Sequence, residues 1–313
     1  MKQAPLYNDM AEGPQDGAAY WLTASDGLRL RVGWWPGGDE GSVFLFPGRT
    51  EYIEKYGLAA AALKERGYGT LTIDWRGQGL ADRLDSDVNL GDVGDFADYQ
   101  LDVAELVRAA QELGCPRPWY LIAHSMGGCL GLRAMHQGLA VNAAAFSGPM
   151  WGISLSPAMR PAAWALSWAT HRLRWGRNYS PGTFSETYVR AAPYDDNMLT
   201  TDRDMYAYMQ RHAKAHPELM LGGPSLRWLY AALVETRALR AMALPDYAVI
   251  THLGGKERVI DADPVHSVMA RWPGGKFEIA QDAEHEIIME IPAIRYAFFD
   301  QAAALFAKHV DKG

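Results

Sequence analysis

The stretch "WYLIAHSMGGCLGL", Trp119 to Leu132, constrains the fold more than any other in the chain. Apolar, β-favouring residues run to Ala123. His124, Ser125 and Met126 follow, then Gly127 and Gly128, and apolar residues return at helical spacing. A buried strand that turns at once into a helix can carry a serine at its tip only if the flanking side chains are nearly absent. Ala123, Gly127 and Gly128 meet that condition. Such a turn strains Ser125, exposes its hydroxyl at the carboxyl end of a sheet, and aims the N–H groups of the following helix at any oxyanion formed there.

The rest of the chain supplies the setting that this turn requires. "YWLTASDGLRLRVGWW" reads as two strands joined at Ser25-Asp26-Gly27, a hairpin. "SVFLF", "TLTID", "WYLIA" and "VNAAAFS" read as short buried strands, and helical patterns lie between them. The alternation predicts an α/β fold with a mostly parallel sheet and helices on both faces. Residues up to about Gly17 read as an irregular lead-in rich in turn formers. From Pro149 to Leu244 no strand pattern is evident, and the segment is helical and rich in Trp and Pro. Afterwards "YAVITHL" and "KFEIA" restore the strands, and an amphipathic helix closes the chain. Residues 1–148 and 245–313 are therefore expected to form one core domain, with 149–244 as a helical insertion.

Composition excludes several classes of function. A net charge of −7 over 313 residues lacks the basic footprint of a nucleic-acid binder. The two cysteines, Cys115 and Cys129, have neither disulfide-framework nor zinc spacing. They fit a reducing compartment, and no stretch has signal-peptide or membrane-spanning character, so a cytoplasmic location is expected.

A serine hydroxyl needs a base, and in a strand–turn–helix setting of this kind the order along the chain is Ser, acid, His. His285, in "QDAEHEIIMEIP", follows the last predicted strand and is the expected base. His124, His171, His212, His216, His252, His266 and His309 read as packing or surface residues. The acid is expected in "GGKERVIDADP", after "YAVITHL". Glu257 ranks first, Asp261 second and Asp263 third, because Glu257 lies nearest the strand end and Val259-Ile260 can anchor the loop behind it. Two N–H donors for an oxyanion are expected from Met126, just after the serine, and from Arg49, in the "PGRTE" loop after "SVFLF". The Arg49 side chain is read as pairing at the surface with Glu51 or Glu54, with a substrate phosphate as the alternative. These parts describe acyl transfer through a serine ester, a chemistry that calls for no metal and no organic cofactor.

Taken together, the motifs resemble the α/β-hydrolase superfamily, and within it the branch of bacterial lysophospholipases and monoacylglycerol lipases. "FPGRTEYIEKY" is similar to that branch's oxyanion segment, "DWRGQGLADR" to its Asp-x-Arg-Gly-x-Gly loop, and "DFADYQLDV" to the segment ahead of the turn. "AHSMGG" differs from Gly-His-Ser-Met-Gly-Gly only at Ala123. "GGKERVIDAD" aligns with the acid loop, where Asp is commoner than the Glu found here, and "AEHEIIME" aligns with the base loop. The resemblance implies a mostly parallel eight-stranded sheet, a helical lid formed by the insertion, and a triad of Ser125, Glu257 and His285. It implies that Asp74, Arg76, Gly77 and Gly79 shape a loop near the site. The implied substrate is an ester of a single-chain lipid, a lysophospholipid or a monoacylglycerol, with transient membrane-surface contact through the lid. "HRLRWGR", His171 to Arg177, is a candidate for a phosphate headgroup or an anionic surface. The alternatives are a short-chain carboxylesterase, a peptidase of the same superfamily, or a non-catalytic binding module.

Overall fold

A computed structural model describes residues 1–156, 158–173 and 175–310. The chain begins with β1 (Lys2–Ala4), α1 (Asn8–Ala11), β2 (Ala18–Thr23), β3 (Arg29–Trp35) and β4 (Ser42–Phe46). Then come α2 (Gly57–Lys64), β5 (Gly69–Asp74), α3 (Asp98–Glu112), β6 (Trp119–His124), α4 (Met126–His136) and β7 (Ala143–Ser147). Four helices follow: α5 (Met159–Arg172), α6 (Tyr188–Ala191), α7 (Arg203–Ala215) and α8 (Leu226–Ala241). The chain returns to the sheet with β8 (Ala248–Gly254), α9 (Ala262–Met269), β9 (Lys276–Ala280) and α10 (Pro292–Phe306).

The strands form one sheet in the order β1-β2-β3-β5-β4-β6-β7-β8-β9. Strands from β5 through β9 run parallel, while β1, β2 and β3 add antiparallel strands at one edge. Among the described residues the sheet has nine strands rather than the expected eight. The extra one is β1, inside the lead-in read as irregular, where Lys2 to Ala4 pair with Ala19 to Trp21. Three residues are too few to show a period, so only the pairing partner defines this strand.

The central strands β4 and β6 are buried along their whole length. Alternate residues of β4 feed two cores, as the two-residue period of a strand requires. Phe44 and Phe46 pack with residues of α3, α4, α8 and α9, whereas Val43 and Leu45 pack with those of α2, α7 and α10. Between β7 and β8 the described residues make helices, short 3₁₀ turns and isolated bridges, as the missing strand pattern predicts. There α5 packs on α8, and α8 in turn packs on α4, behind the serine turn.

Candidate active site

Ser125 lies between β6 and α4 with φ +50° and ψ −118°, a conformation that L-residues rarely adopt. The surroundings leave no room for larger neighbours. A Cβ on Gly127 would come within 2.2 Å of the Phe46 carbonyl oxygen, and one on Gly128 within 2.5 Å of Pro149. At position 123 the methyl of alanine faces Gly131 of α4, where a Cβ would sit 3.3 Å from that of Ala123. The strained turn is held from the next strand: the Ser125 N–H donates to the Ser147 carbonyl (3.1 Å), and the Met150 N–H donates to the Ser125 carbonyl (2.8 Å).

Three distant residues converge here in a hydrogen-bonded chain. The Ser125 hydroxyl lies 2.9 Å from His285 Nε2, and His285 Nδ1 lies 2.7 Å from Glu257 Oε2. The other carboxylate oxygen of Glu257 accepts the N–H groups of Val259 (2.7 Å) and Ile260 (3.1 Å), so the loop after β8 aims it at the imidazole. Burial alone would lower the pKa of His285. The Glu257 carboxylate, with smaller contributions from Glu286 and Glu51, offsets burial and holds it above the ordinary imidazole value. Burial would raise the pKa of Glu257, but the His285 ring and the two N–H groups hold it below the usual carboxylate range. This arrangement fits a base whose second nitrogen carries the proton, leaving Nε2 free to accept one.

Asp261 and Asp263 do not reach the imidazole. Asp261 caps α9 by accepting the N–H of Asp263 (3.3 Å), and its other oxygen meets Arg160 Nη2 at 2.8 Å.

The loop after β4 runs past the serine. A Cβ on Gly48 would lie 3.1 Å from that of Ser125, so only glycine lets the backbone pass. The next N–H is that of Arg49. The N–H of Met126, first in α4, has no intrahelical acceptor. The loop is pinned by side chains of the "FPGRTEYIEKY" and "DWRGQGLADR" segments. Glu51 accepts the N–H of Gly48 and the hydroxyl of Tyr56, and Gln78 bonds both to the Thr50 N–H (3.2 Å) and to the Gly48 carbonyl (3.1 Å). Lys55 Nζ lies 2.7 Å from carboxylate oxygens of both Glu51 and Glu286. The i,i+4 spacing of Glu51 and Lys55 was visible in the sequence, but the third member, Glu286, comes from beside His285 in the folded chain.

Glu51, His124 and Glu286 bring ligand-type atoms within 4.8 Å of one another. A cation already sits among them, the ammonium of Lys55. His124 faces Ser147, its Nδ1 lying 2.9 Å from the carbonyl oxygen, and burial pushes its pKa down to about 4. It is a neutral packing residue.

The "DWRGQG" loop is structural in detail. Asp74 accepts from Arg31 Nε (2.7 Å) and from the N–H groups of Ile53 (2.9 Å) and Leu80 (2.8 Å). Arg76 pairs with Asp102, and Gly77 and Gly79 both adopt positive φ.

Ser125 and His285 open onto a cavity of about 540 Å³, within the size range of small-molecule sites. Met150, Ile153, Val189, Met209, Met220 and Leu221 give it an apolar lining, most of which comes from the segment between β7 and β8.

Fold and site together define a serine hydrolase of the α/β class, and comparison with known proteins agrees. The family model described as "Serine aminopeptidase, S33" matches residues 38–292, and the chain belongs to this family. It is 31% identical over 277 residues to lysophospholipase L2 of Escherichia coli (strain K12), covering 85% of this chain and 80% of that protein. A probable lysophospholipase L2 of Haemophilus influenzae is 26% identical over 255 residues, covering 81% of this chain and 79% of that one. Among solved structures, a soluble variant of monoglyceride lipase from Saccharomyces cerevisiae superposes with a TM-score of 0.71 at 19% identity. It covers 94% of this chain and 96% of that chain, and so shares the fold. Among the described residues no helix is long and apolar enough to cross a membrane.

Proposed function

We propose that this serine hydrolase cleaves the carboxylic ester of single-chain lipids, a lysophospholipid or a monoacylglycerol, through an acyl-enzyme on Ser125. The observation that carries the proposal is the Ser125–His285–Glu257 chain opening onto an apolar cavity. The names of the relatives above support the lipid ester as substrate.

In the first half-reaction His285 Nε2 takes the proton of Ser125 as Oγ bonds to the ester carbonyl carbon. The carbonyl oxygen becomes an oxyanion, which the N–H groups of Arg49 and Met126 receive. As the tetrahedral intermediate collapses, the C–O bond to the alcohol breaks and His285 returns its proton to the departing oxygen. Water then repeats the sequence on the acyl-enzyme and releases the fatty acid. Glu257 holds the imidazole in the tautomer with the proton on Nδ1 and stabilises its cation.

Residues 149–244 act as a cap inserted into a core of 1–148 and 245–313, and the cap supplies most of the acyl-chain lining. The cap exposes Met159, Leu166, Trp168, Leu173 and Trp175 together with Arg172, chemistry suited to transient contact with an anionic lipid surface. Within "HRLRWGR", the His171 ring packs at a tilt against Tyr230 and Arg177 lies near Asp85 and Asp92, while Arg174 falls outside the described residues. The proposed membrane contact therefore rests on the apolar residues and Arg172.

An aminopeptidase needs a free carboxylate for the amino group of its substrate. Of the carboxylates lining the cavity, Glu51 and Glu286 share Lys55, and Glu186 is exposed at the rim near Arg190. This favours an ester over an aminoacyl amide. Purified protein is expected to release fatty acid from lysophosphatidylcholine, from monoacylglycerol or from both, with Ser125→Ala inactive. Hydrolysis of aminoacyl amides with no release from either lipid would contradict the reading.

A further inference from the structure

Two Lys or Arg side chains line the cavity, and they are treated differently. Lys55 is neutralised by Glu51 and Glu286. Among the described residues Arg49 pairs with no carboxylate. The partners expected for it are taken: Glu51 by Lys55, and Glu54 by Arg31, which meets both Glu54 oxygens at 2.8 Å. Among the described residues the Arg49 guanidinium makes one hydrogen bond, from Nη2 to the Gly222 carbonyl (2.5 Å), and its buried Nε finds no acceptor. Its Cζ stands 5.4 Å from the centre of the Trp228 ring. Room for it is made by a glycine, since a Cβ at position 91 would come within 2.7 Å of Nη2.

This is a costly arrangement unless something completes it. A half-buried cation without a counter-charge gives up part of its hydration and gains little in return. Burial pushes its pKa down to about 10, which still leaves it charged at neutral pH. Arg83, also largely buried, shows what a purely structural arginine does: it spends its donors on the carbonyls of Gly77, Gly79, Glu218 and Met220. Arg49 spends one donor on Gly222 and holds the rest at the cavity, one peptide away from Gly48, which runs beside Ser125.

We propose that the Arg49 guanidinium receives the phosphate of the substrate, making this cavity selective for a lysophospholipid over a neutral monoacylglycerol. The inference rests on the lipid-ester reading above and narrows it. The ester carbonyl binds at the N–H groups of Arg49 and Met126, and the glycerol carbons span from there to a phosphodiester at the side chain of Arg49. A planar fork with two adjacent donors suits two phosphate oxygens at once.

The test is the ratio of kcat/KM for lysophosphatidylcholine to that for monoacylglycerol, both with the same acyl chain and below their micelle thresholds. Because the ratio is read within one protein, any loss common to both esters cancels. Arg49→Gln is expected to lower it roughly tenfold to a hundredfold, the scale of a charged hydrogen-bonded pair. Arg49→Lys keeps the charge but not the fork and should fall between. Gly91→Ala crowds the guanidinium from the opposite side, should lower the same ratio, and carries the test if the Arg49 variants fail to fold. A ratio within about twofold of wild type in Arg49→Gln, or in Gly91→Ala where that variant carries the test, overturns the phosphate site while leaving the esterase reading intact. Failure of the wild type to hydrolyse either lipid overturns both.

Discussion

The sheet and the helical segment between β7 and β8 treat exposure in opposite ways. In the sheet half, charges go inside and are answered there: Arg31 by Glu54 and Asp74, Arg76 by Asp102, Lys55 by Glu51 and Glu286. In the helical segment large apolar side chains are left outside, with Trp168 52% and Trp175 67% exposed. Removing one member of a buried pair leaves an uncompensated charge, so such pairs hold a loop to one geometry. An exposed tryptophan holds nothing in place and is available to a lipid surface. The sheet half sets where the reacting atoms stand. The segment supplies most of the apolar lining of the cavity onto which they open. Arg49, rooted in a sheet-half loop and bonded to Gly222 of the segment, is where the two meet.

The largest expected effect lies in the sheet half. Glu257→Gln should lower kcat/KM by roughly 10³–10⁴-fold, as expected when the orienting carboxylate of a triad is lost. Asp261→Ala, four residues on, should change turnover only a few-fold and cost about 1 kcal/mol of stability through the lost cap on α9. The pH profile sharpens the contrast. The base must be neutral in the free enzyme, and Glu257 raises its pKa, so the acid limb of kcat/KM should have its midpoint above about 6.5. In Glu257→Gln burial is opposed only by the more remote Glu286 and Glu51 carboxylates, and the midpoint should move down. An unmoved midpoint would mean that Glu257 does not set the state of His285.

Next in size is the serine turn. Gly127→Ala drives a Cβ against the Phe46 and Pro47 carbonyl oxygens, backbone atoms with little freedom to retreat. It should lower unfolding free energy by about 1–3 kcal/mol in a urea titration. The smallest effect is expected outside. Trp168→Ser, Leu173→Ser and Trp175→Ser together should weaken cosedimentation with anionic phospholipid vesicles about tenfold, while each changes stability by no more than about 0.5 kcal/mol. Undiminished vesicle binding would remove the membrane role given to this face.

What could be read from the sequence follows the same division. The turn at Ser125 was legible because its sterics are local: a strand, small residues and a helix leave their marks within fourteen residues of each other. The preference for Glu257 over Asp261 was legible from distance to the strand end, and the geometry joins Glu257 to His285. Long-range pairings were not legible. Nothing near Arg31 indicates that it takes Glu54, so Arg49 was read with a partner it does not have. Glu286 shares Lys55 across more than two hundred residues, and β1 is defined only by the strand it pairs with. Such partners are chosen by the assembled fold.

The most direct test of the central claim is covalent labelling with alkyl fluorophosphonates of increasing chain length, followed by intact mass and peptide mapping. One adduct per chain is predicted, on Ser125, forming faster with long alkyl groups than with short ones and absent from Ser125→Ala. Labelling that persists in Ser125→Ala, or no labelling of the folded wild type at any length, would contradict it.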